Sequence, residues 1–441
     1  MSKQLQISQI TIRRAFQQLA EEGYLNLRQG SGAYVSSSHG KVAARNAGDG
    51  DAATFTIGRF EQSDFTIAFQ ISKSNEALTL SQAFTNYQFH PWWDRPVECD
   101  FRAYQPNVGD DSANKVTTIS STQKSEGALE RHIADWLLAS RNLSCSPEEI
   151  TIIAGAQQAR DLLARLFVSP GMKVAVQEPG SITDLLAYAS KGADLVSLTT
   201  PASLMHVLSF AAFPAGTTLN DQERRELIAN ANAQSSLLVE DSYGAGYFYS
   251  EDPPQSLYGE NARIIHVGTL SHVLGPAQRI GFIVAPRDIS VVIRKAREAL
   301  AADASAISKA LALRQFENSG FETKFHAQRQ LFRARRAALL AGLADFPSGT
   351  IEYSPVLCGF QQAVWFTKPV DDLLLFELAL RAGVGIIPIS PYFHREQPRS
   401  GMALAFTGIE ESRIKPGLER LLQLSPECEI PAETESSPGF G

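Results

Sequence analysis

A chain of 441 residues is long for one domain and has room for at least two. Hydrophobic residues make up 44% and charged ones 20%, and no apolar run is long enough to span a bilayer, which fits a soluble globular protein and excludes a membrane-spanning helix. A net charge of -7 excludes a chain-wide nucleic-acid surface but leaves room for a small basic module.

Cys99, Cys145, Cys358 and Cys428 lie far apart without metal-like spacing, so reduced thiols in a cytoplasmic protein are expected, and no metal site. Residues 8–23 predict one helix, with Ser8 as N-cap and Gly23 as its stop. Ile12, Ala15, Phe16 and Leu19 fall at i, i+3, i+4 and i+7 on one apolar face, and Arg13 and Arg14 lie off it. Tyr24-Leu25-Asn26-Leu27 and Ala33-Tyr34-Val35 then flank a Gly-rich turn and predict a hairpin. Residues 36–64, rich in Ser, Gly, Ala and Asp, predict a flexible linker.

Further on, residues 126–140 predict a helix with Leu129, Ile133, Trp136 and Leu137 on one face. Residues 147–153 predict a strand that enters the small-residue turn Ala154-Gly155-Ala156-Gln157, with a helix over 159–167. Such a turn at a helix N-terminus is an anion site, because the first amides of a helix have no intrahelical partner. Buried strands are expected at 174–176, 237–241, 264–267 and 281–284, with a hydroxyl-rich loop between the last two. Residues 294–345 predict helix interrupted at Gly320. Strands at 357–366, 383–388 and 401–406 and a helix at 374–382 follow, and residues 426–441 are expected to fray.

RRAFQQLAEEGYLNLRQGSGAYV, residues 13–35, resembles the recognition helix and wing of a GntR-type winged helix-turn-helix. The resemblance implies a helix in the major groove with Thr11, Arg13, Arg14, Arg28, Gly30 and Ser31 at the DNA, positioning on phosphates more than reading bases. An ordinary amphipathic helix and hairpin with a solvated Arg pair is the alternative. Such a domain needs one helix and most of another before the recognition helix. Residues 1–7 supply only the end of one, so a true start upstream of Met1 is expected, with a crippled module as the alternative.

Thr269-Leu270-Ser271-His272-Val273-Leu274-Gly275-Pro276-Ala277-Gln278-Arg279-Ile280-Gly281-Phe282 resembles the cofactor segment of fold-type I pyridoxal-phosphate proteins, and within them the MocR branch of GntR-type regulators. The resemblance implies that Gly155, Ala156, Gln157, Thr269, Ser271 and Arg279 surround a cofactor phosphate. It puts Asp241 on the pyridine nitrogen and Tyr243 on the phenolic oxygen. The family's anchoring Lys falls at His272, and imidazole has no primary amine with which to form an imine. The stacking Tyr is replaced by Ser181, the polar pair by Ala211-Ala212, and the carboxylate-clamping Arg by Ala403. A strand-end cap for Asp241, a structural salt bridge for Arg279 and a packing role for His272 remain the alternatives.

The expected fold class is α/β. An N-terminally truncated winged helix-turn-helix (1–38) is followed by a linker and lead-in (39–95). A fold-type I transferase-like large domain (96–318) has a mostly parallel seven-stranded sheet with helices on both faces; a small C-terminal α+β subdomain (319–425) and a tail (426–441) complete the chain. The expected function is a DNA-binding transcription regulator with no catalytic residue. Its aminotransferase-like domain serves dimerisation and the sensing of pyridoxal 5'-phosphate, held without a covalent bond, or of another small molecule. The expected partners are double-stranded DNA and a second copy of the chain, in the cytoplasm and away from membranes. A working pyridoxal-phosphate aminotransferase and a ligand-free dimerisation scaffold are the alternatives.

Overall fold

The computed structural model describes residues 25–28, 32–35, 99–101, 127–252, 254–260, 263–275, 278–318 and 320–428. The chain divides into two units, Met1–Glu61 and Gln62–Gly441. In the first, β1 (Leu25–Arg28) pairs antiparallel with β2 (Gly32–Val35), so the expected hairpin forms. The helix expected over 8–23 lies outside the described residues. So do its candidates Thr11, Arg13 and Arg14, the turn residues Gly30 and Ser31, the linker, and the tail beyond 428.

The described part of the second unit opens with β3 (Cys99–Asp100) and α1 (Ala128–Arg141). Its centre is a seven-stranded sheet of β4 (Ile150–Ile153), β5 (Lys173–Val176), β6 (Asp194–Ser197), β7 (Leu204–Leu208), β8 (Leu237–Asp241), β9 (Ile264–Thr269) and β10 (Gly281–Val284). The order is β4-β10-β9-β8-β7-β5-β6, and β10 runs antiparallel to both its neighbours while the other pairings are parallel. A sheet covered on both faces reads as unbroken apolar sequence, and β4, β7 and β10 are buried throughout. On one face α2 (Ala156–Phe167), α3 (Ile182–Ala189) and α6 (Arg287–Ala299) pack Leu162, Leu163, Tyr188 and Ile293 onto Val176, Val239 and Val267. On the other, α1 sets Ile133, Trp136 and Leu137 against Ile152 and Phe282, and α4 (Asp221–Ala233) sets Leu227 and Ala231 against Met205 and Leu238.

Several boundaries differ from expectation. Residues 147–149 form a 3-10 turn instead of opening β4: Pro147 cannot donate to a sheet ladder, and the Ser146 amide donates to Glu149 Oε2 at 2.7 Å in a capping box. Within 269–282, a single helical turn, α5 (Ser271–Leu274), stands where a loop was expected. The helical stretch breaks twice, not once. After α6, residues 300–305 intervene with Ala301 at φ 50 before α7 (Ala306–Glu317), and α8 (Phe321–Leu343) follows Gly320.

The small subdomain sheet has the order β11 (Ile351–Glu352), β12 (Gln361–Phe366), β15 (Gly401–Ala405), β14 (Ile387–Pro388). It packs with α8, α9 (Asp372–Arg381) and α10 (Glu411–Leu424) around Phe332, Leu339, Val364, Leu375 and Leu418. The strand expected over 383–388 is split: β13 (Val384–Gly385) leaves this sheet to pair in parallel with β3, and β14 stays. Pro388 has no amide to give and sits on the edge strand, where none is required. Among the described residues no helix is long and apolar enough to cross a membrane.

Candidate functional site

The site lies at the C-terminal ends of the parallel strands. From β4 the chain turns through Gly155, whose φ of 103 suits only glycine, directly into α2. A side chain at Gly281 of β10 would put its Cβ 2.5 Å from the Gly155 carbonyl carbon and 2.8 Å from the Ala156 nitrogen, so this glycine lets one backbone press against the other. The turn therefore holds the first amides of α2, Ala156 and Gln157 among them, at one fixed edge with the positive end of the helix dipole behind them. The Arg279 side chain is exposed and reaches the same edge: its Nη2 and Nε lie 3.8 and 3.9 Å from the position a Gly155 Cβ would take.

Thr269 and Ser271 close the cradle from β9 and α5. The Thr269 hydroxyl donates to the Ile280 carbonyl at 3.0 Å and accepts the Ser271 amide at 3.1 Å; the Ser271 hydroxyl donates to the Gln278 carbonyl at 2.9 Å. Both protons are thus turned into the loop, and each would have to rotate to serve an anion.

The other end of the site is organised by Asp241, the last residue of β8 and 2% exposed. Arg160, one turn into α2 and also buried, donates from Nε at 2.9 Å and from Nη2 at 2.7 Å, both to Asp241 Oδ2. The third guanidinium nitrogen, Nη1, meets Asp184 Oδ1 at 2.9 Å and donates to Gln157 Oε1 at 3.0 Å. Asp241 Oδ1 accepts the Tyr243 amide at 3.1 Å. Burial works against both charges. It raises the Asp241 pKa, but Arg160, with His206 and the Tyr243 amide, more than reverses this and holds it below the ordinary value; Asp184 and Asp241 likewise keep Arg160 above its own.

His272 stands in α5 with its ring edge-on to Tyr243 at 5.4 Å and to Phe360 at 4.8 Å between centroids. The Tyr247 hydroxyl lies 2.9 Å from the His272 carbonyl and 2.7 Å from Gln328 Oε1, tying α5 to α8. Burial pushes the His272 pKa down to about 4, so the imidazole is neutral at pH 7. Tyr243 directs its hydroxyl to Gln361 Oε1 at 3.4 Å.

Beside this network a small recess, with room for about one water-sized group, is lined by Gln177, Gly180, Ser181, Asp184, His206, Leu208 and Phe213. His206 is 1% exposed; its Nδ1 lies 2.8 Å from the Tyr188 hydroxyl and its Nε2 has no hydrogen-bond partner among the described residues. Burial lowers its pKa to about 4 against the pull of Asp241. Ala211 and Ala212 are buried and supply no polar atom beyond the backbone, and Ala403 sits inside β15 opposite Ala363 and Ile387.

Glu240, adjacent to Asp241, points to the opposite face of the sheet. There it accepts Ser209 Oγ at 2.6 Å, the Leu257 amide at 2.9 Å and Ser256 Oγ, and meets His266 Nδ1 at 2.7 Å. It ties β8 and β9 to Ser209, just past β7, and to the segment at 256–257.

The expected residues Gly155, Ala156, Gln157, Thr269, Ser271 and Arg279 come together at one end, and Asp241, Tyr243 and His272 at the other. Arg28 is placed on β1 of the first unit. Arg160, Asp184 and His206 were not expected. His206 does carry a sequence signal, a polar residue alone in the apolar frame Leu204-Met205-His206-Val207-Leu208, whereas Arg160 beside Asp161 and Asp184 after Thr183 read as ordinary helix polar positions.

Comparison with known proteins agrees with this fold. The family description Aminotransferase class I and II matches residues 211–391. The fold is shared with a Pyrococcus horikoshii kynurenine aminotransferase solved with PMP (TM-score 0.67, 21% identity, 81% of this chain and 96% of that one). It is also shared with the Thermus thermophilus α-aminoadipate aminotransferase LysN, solved with N-(5'-phosphopyridoxyl)-L-leucine (TM-score 0.61, 20% identity, 67% of this chain and 80% of that one). The large unit is a fold-type I, aminotransferase-like domain. Over its whole length the chain is 27% identical to the probable rhizopine catabolism regulatory protein MocR of Rhizobium meliloti (96% of this chain, 87% of that protein). It is 24% identical to the HTH-type pyridoxine biosynthesis transcriptional regulator PdxR of Corynebacterium glutamicum (94% and 87%). The chain fits the MocR type, a helix-turn-helix regulator joined to an aminotransferase-like domain.

Two solved relatives hold a phosphopyridoxyl or pyridoxamine group, and the residues here fit such a group at one end only. The glycine turn, the helix N-terminus and Arg279 suit its phosphate. At the ring end Asp241 already has a cation, Ser181 offers no stacking face, and His272 no primary amine.

Proposed function

We propose that this protein is a DNA-binding transcription regulator whose aminotransferase-like domain performs no transamination. That domain pairs two copies of the chain and binds a phosphorylated small molecule by charge and hydrogen bonding alone. The observation that carries this reading is His272 beside a retained anion cradle: the covalent anchor is gone while the parts that hold a phosphate stand together. Lys173 is no substitute, because it opens β5 at the end of the sheet away from the cradle. The names of the full-length relatives support the regulatory role.

In this reading Thr11, Arg13, Arg14, Arg28, Gly30 and Ser31 meet the DNA from a head within 1–38. Residues 39–95 link it to the large domain of 96–318, the small subdomain of 319–425 completes the fold, and the chain acts in the cytoplasm. Pyridoxal 5'-phosphate held without a covalent bond is supported by the phosphate end and opposed by the ring end. A different phosphorylated effector is supported by both.

A mobility shift on promoter DNA at fixed salt, with and without inorganic phosphate as competitor for the effector in a cell extract, tests the whole. Retarded DNA whose affinity depends on the extract and is reversed by phosphate is expected. DNA binding indifferent to either leaves a dimerisation scaffold. Borohydride treatment of protein soaked in pyridoxal phosphate, with peptide mass mapping, should leave His272 and its neighbours unmodified; an adduct within the site overturns the reading. No amino acid should turn over with a keto-acid acceptor.

A further inference from the structure

We infer that Arg160 has taken the place of a ring nitrogen as the counter-ion of Asp241, and that it selects for phosphomonoesters with an uncharged body over those carrying a pyridine ring. The inference rests on the anion cradle proposed above and adds the chemistry of what lies beyond the phosphate.

Asp241 Oδ2 receives two N–H groups of Arg160 at 2.9 and 2.7 Å, and Oδ1 receives the Tyr243 amide at 3.1 Å. The guanidinium cannot swing aside, because its remaining nitrogen is held by Asp184 at 2.9 Å and Gln157 at 3.0 Å. All of this is buried. A protonated ring nitrogen within reach of Asp241 would sit beside the guanidinium, like charge against like in a site with little water to screen it. An unprotonated one would turn its lone pair toward the carboxylate. Neither state of a pyridine ring fits, whereas a C–H or a hydroxyl meets no such conflict.

The recess next to Asp184 supplies the complementary contact. His206 lines it, and its Nε2 has no hydrogen-bond partner among the described residues, at a position 1% exposed. The Tyr188 hydroxyl lies 2.8 Å from Nδ1 and can give or take that hydrogen bond, so Nε2 is an acceptor in one tautomer and a donor in the other, and either serves a hydroxyl of the ligand.

The test measures binding of two probes to the full chain by calorimetry. They are pyridoxine 5'-phosphate, which has the ring but no aldehyde to react with surface lysines, and its analogue with C–H in place of the ring nitrogen. The native chain is compared with Arg160→Leu and with Arg160→Leu/Asp184→Ala, the second of which does not leave two buried carboxylates facing each other if the first fails to fold. The native chain should bind the analogue at least as well as the pyridine. In the variants the pyridine should gain roughly tenfold or more over the analogue, the ratio that one charge-assisted hydrogen bond supplies.

A native chain that prefers the pyridine tenfold, or a ratio unmoved by removing Arg160, overturns the inference. If the native chain binds neither probe and inorganic phosphate displaces neither from the variants, the cradle fails. The role of Arg160 is then decided by the variants: it holds if they bind the pyridine over the analogue, and falls if they do not.

Discussion

The two ends of the proposed site are built from different materials. The proposed phosphate end is mostly main chain: a glycine turn, helix amides and a close approach at Gly281, with Arg279 as the added side chain. The ring end is almost entirely side chain: Asp241, Arg160, Asp184, His206, Tyr243 and His272. Main-chain donors come with the fold and persist as long as the strand-turn-helix forms. Side-chain chemistry can be rewritten one residue at a time, and here it holds an ion pair where a cofactor ring would need a free acid.

The largest expected effect comes from breaking the ring end. Arg160→Leu leaves Asp241 and Asp184 buried without their cation and should cost about 3–5 kcal/mol in denaturant unfolding, the usual consequence of removing one partner of a buried pair. Arg160→Leu/Asp241→Leu should cost less than the sum of the two single changes. Additivity would mean that the two groups do not interact as the distances indicate.

Acid should expose the same contrast. His206 has a pKa of about 4 when folded against an ordinary 6.5, so between those values the unfolded chain binds more protons. Its contribution is complete above pH 6.5 and is lost as pH falls toward 4, a change on the order of 3 kcal/mol, and His272 acts in the same direction. His206→Gln should flatten the fall in melting temperature over that range; an unchanged acid profile would show that His206 does not stay neutral in the fold.

At the phosphate end, Gly155→Ala must place a side chain at φ 103 and should cost about 1–3 kcal/mol of stability while weakening the binding of inorganic phosphate. Retained stability and retained phosphate affinity would show that the turn is not held as described. Arg279→Ala, on an exposed residue, should change stability by no more than about 0.5 kcal/mol. It should lower phosphate affinity roughly tenfold or more through the loss of one charge-assisted contact. Unchanged affinity would remove Arg279 from the cradle.

Much of the cradle was legible in sequence, because Ala154-Gly155-Ala156-Gln157 after an apolar run and Arg279-Ile280-Gly281 before another are local patterns with local consequences. The ring end was legible only in part. Asp241 closes a buried strand and His272 stands out by its chemistry, but the pairing of Arg160 with Asp241 spans 81 residues and that of Arg160 with Asp184 joins two helices. Local pattern also misplaced the start of β4, where Pro147 begins a capped turn, and fused β13 with β14, which pair with different partners.

By itself the sequence determined several of the strands and helices around the site, the glycine turn at a helix start and the absence of an amine at His272, since apolar period, glycine and side-chain chemistry act over a few residues. Only the tertiary structure decided that Asp241 is already neutralised, that His206 lines a recess and that Glu240, one residue away, serves the opposite face. The reason is physical: a buried charge takes its meaning from whichever partner the packing brings within 3 Å, and that partner can lie anywhere along the chain.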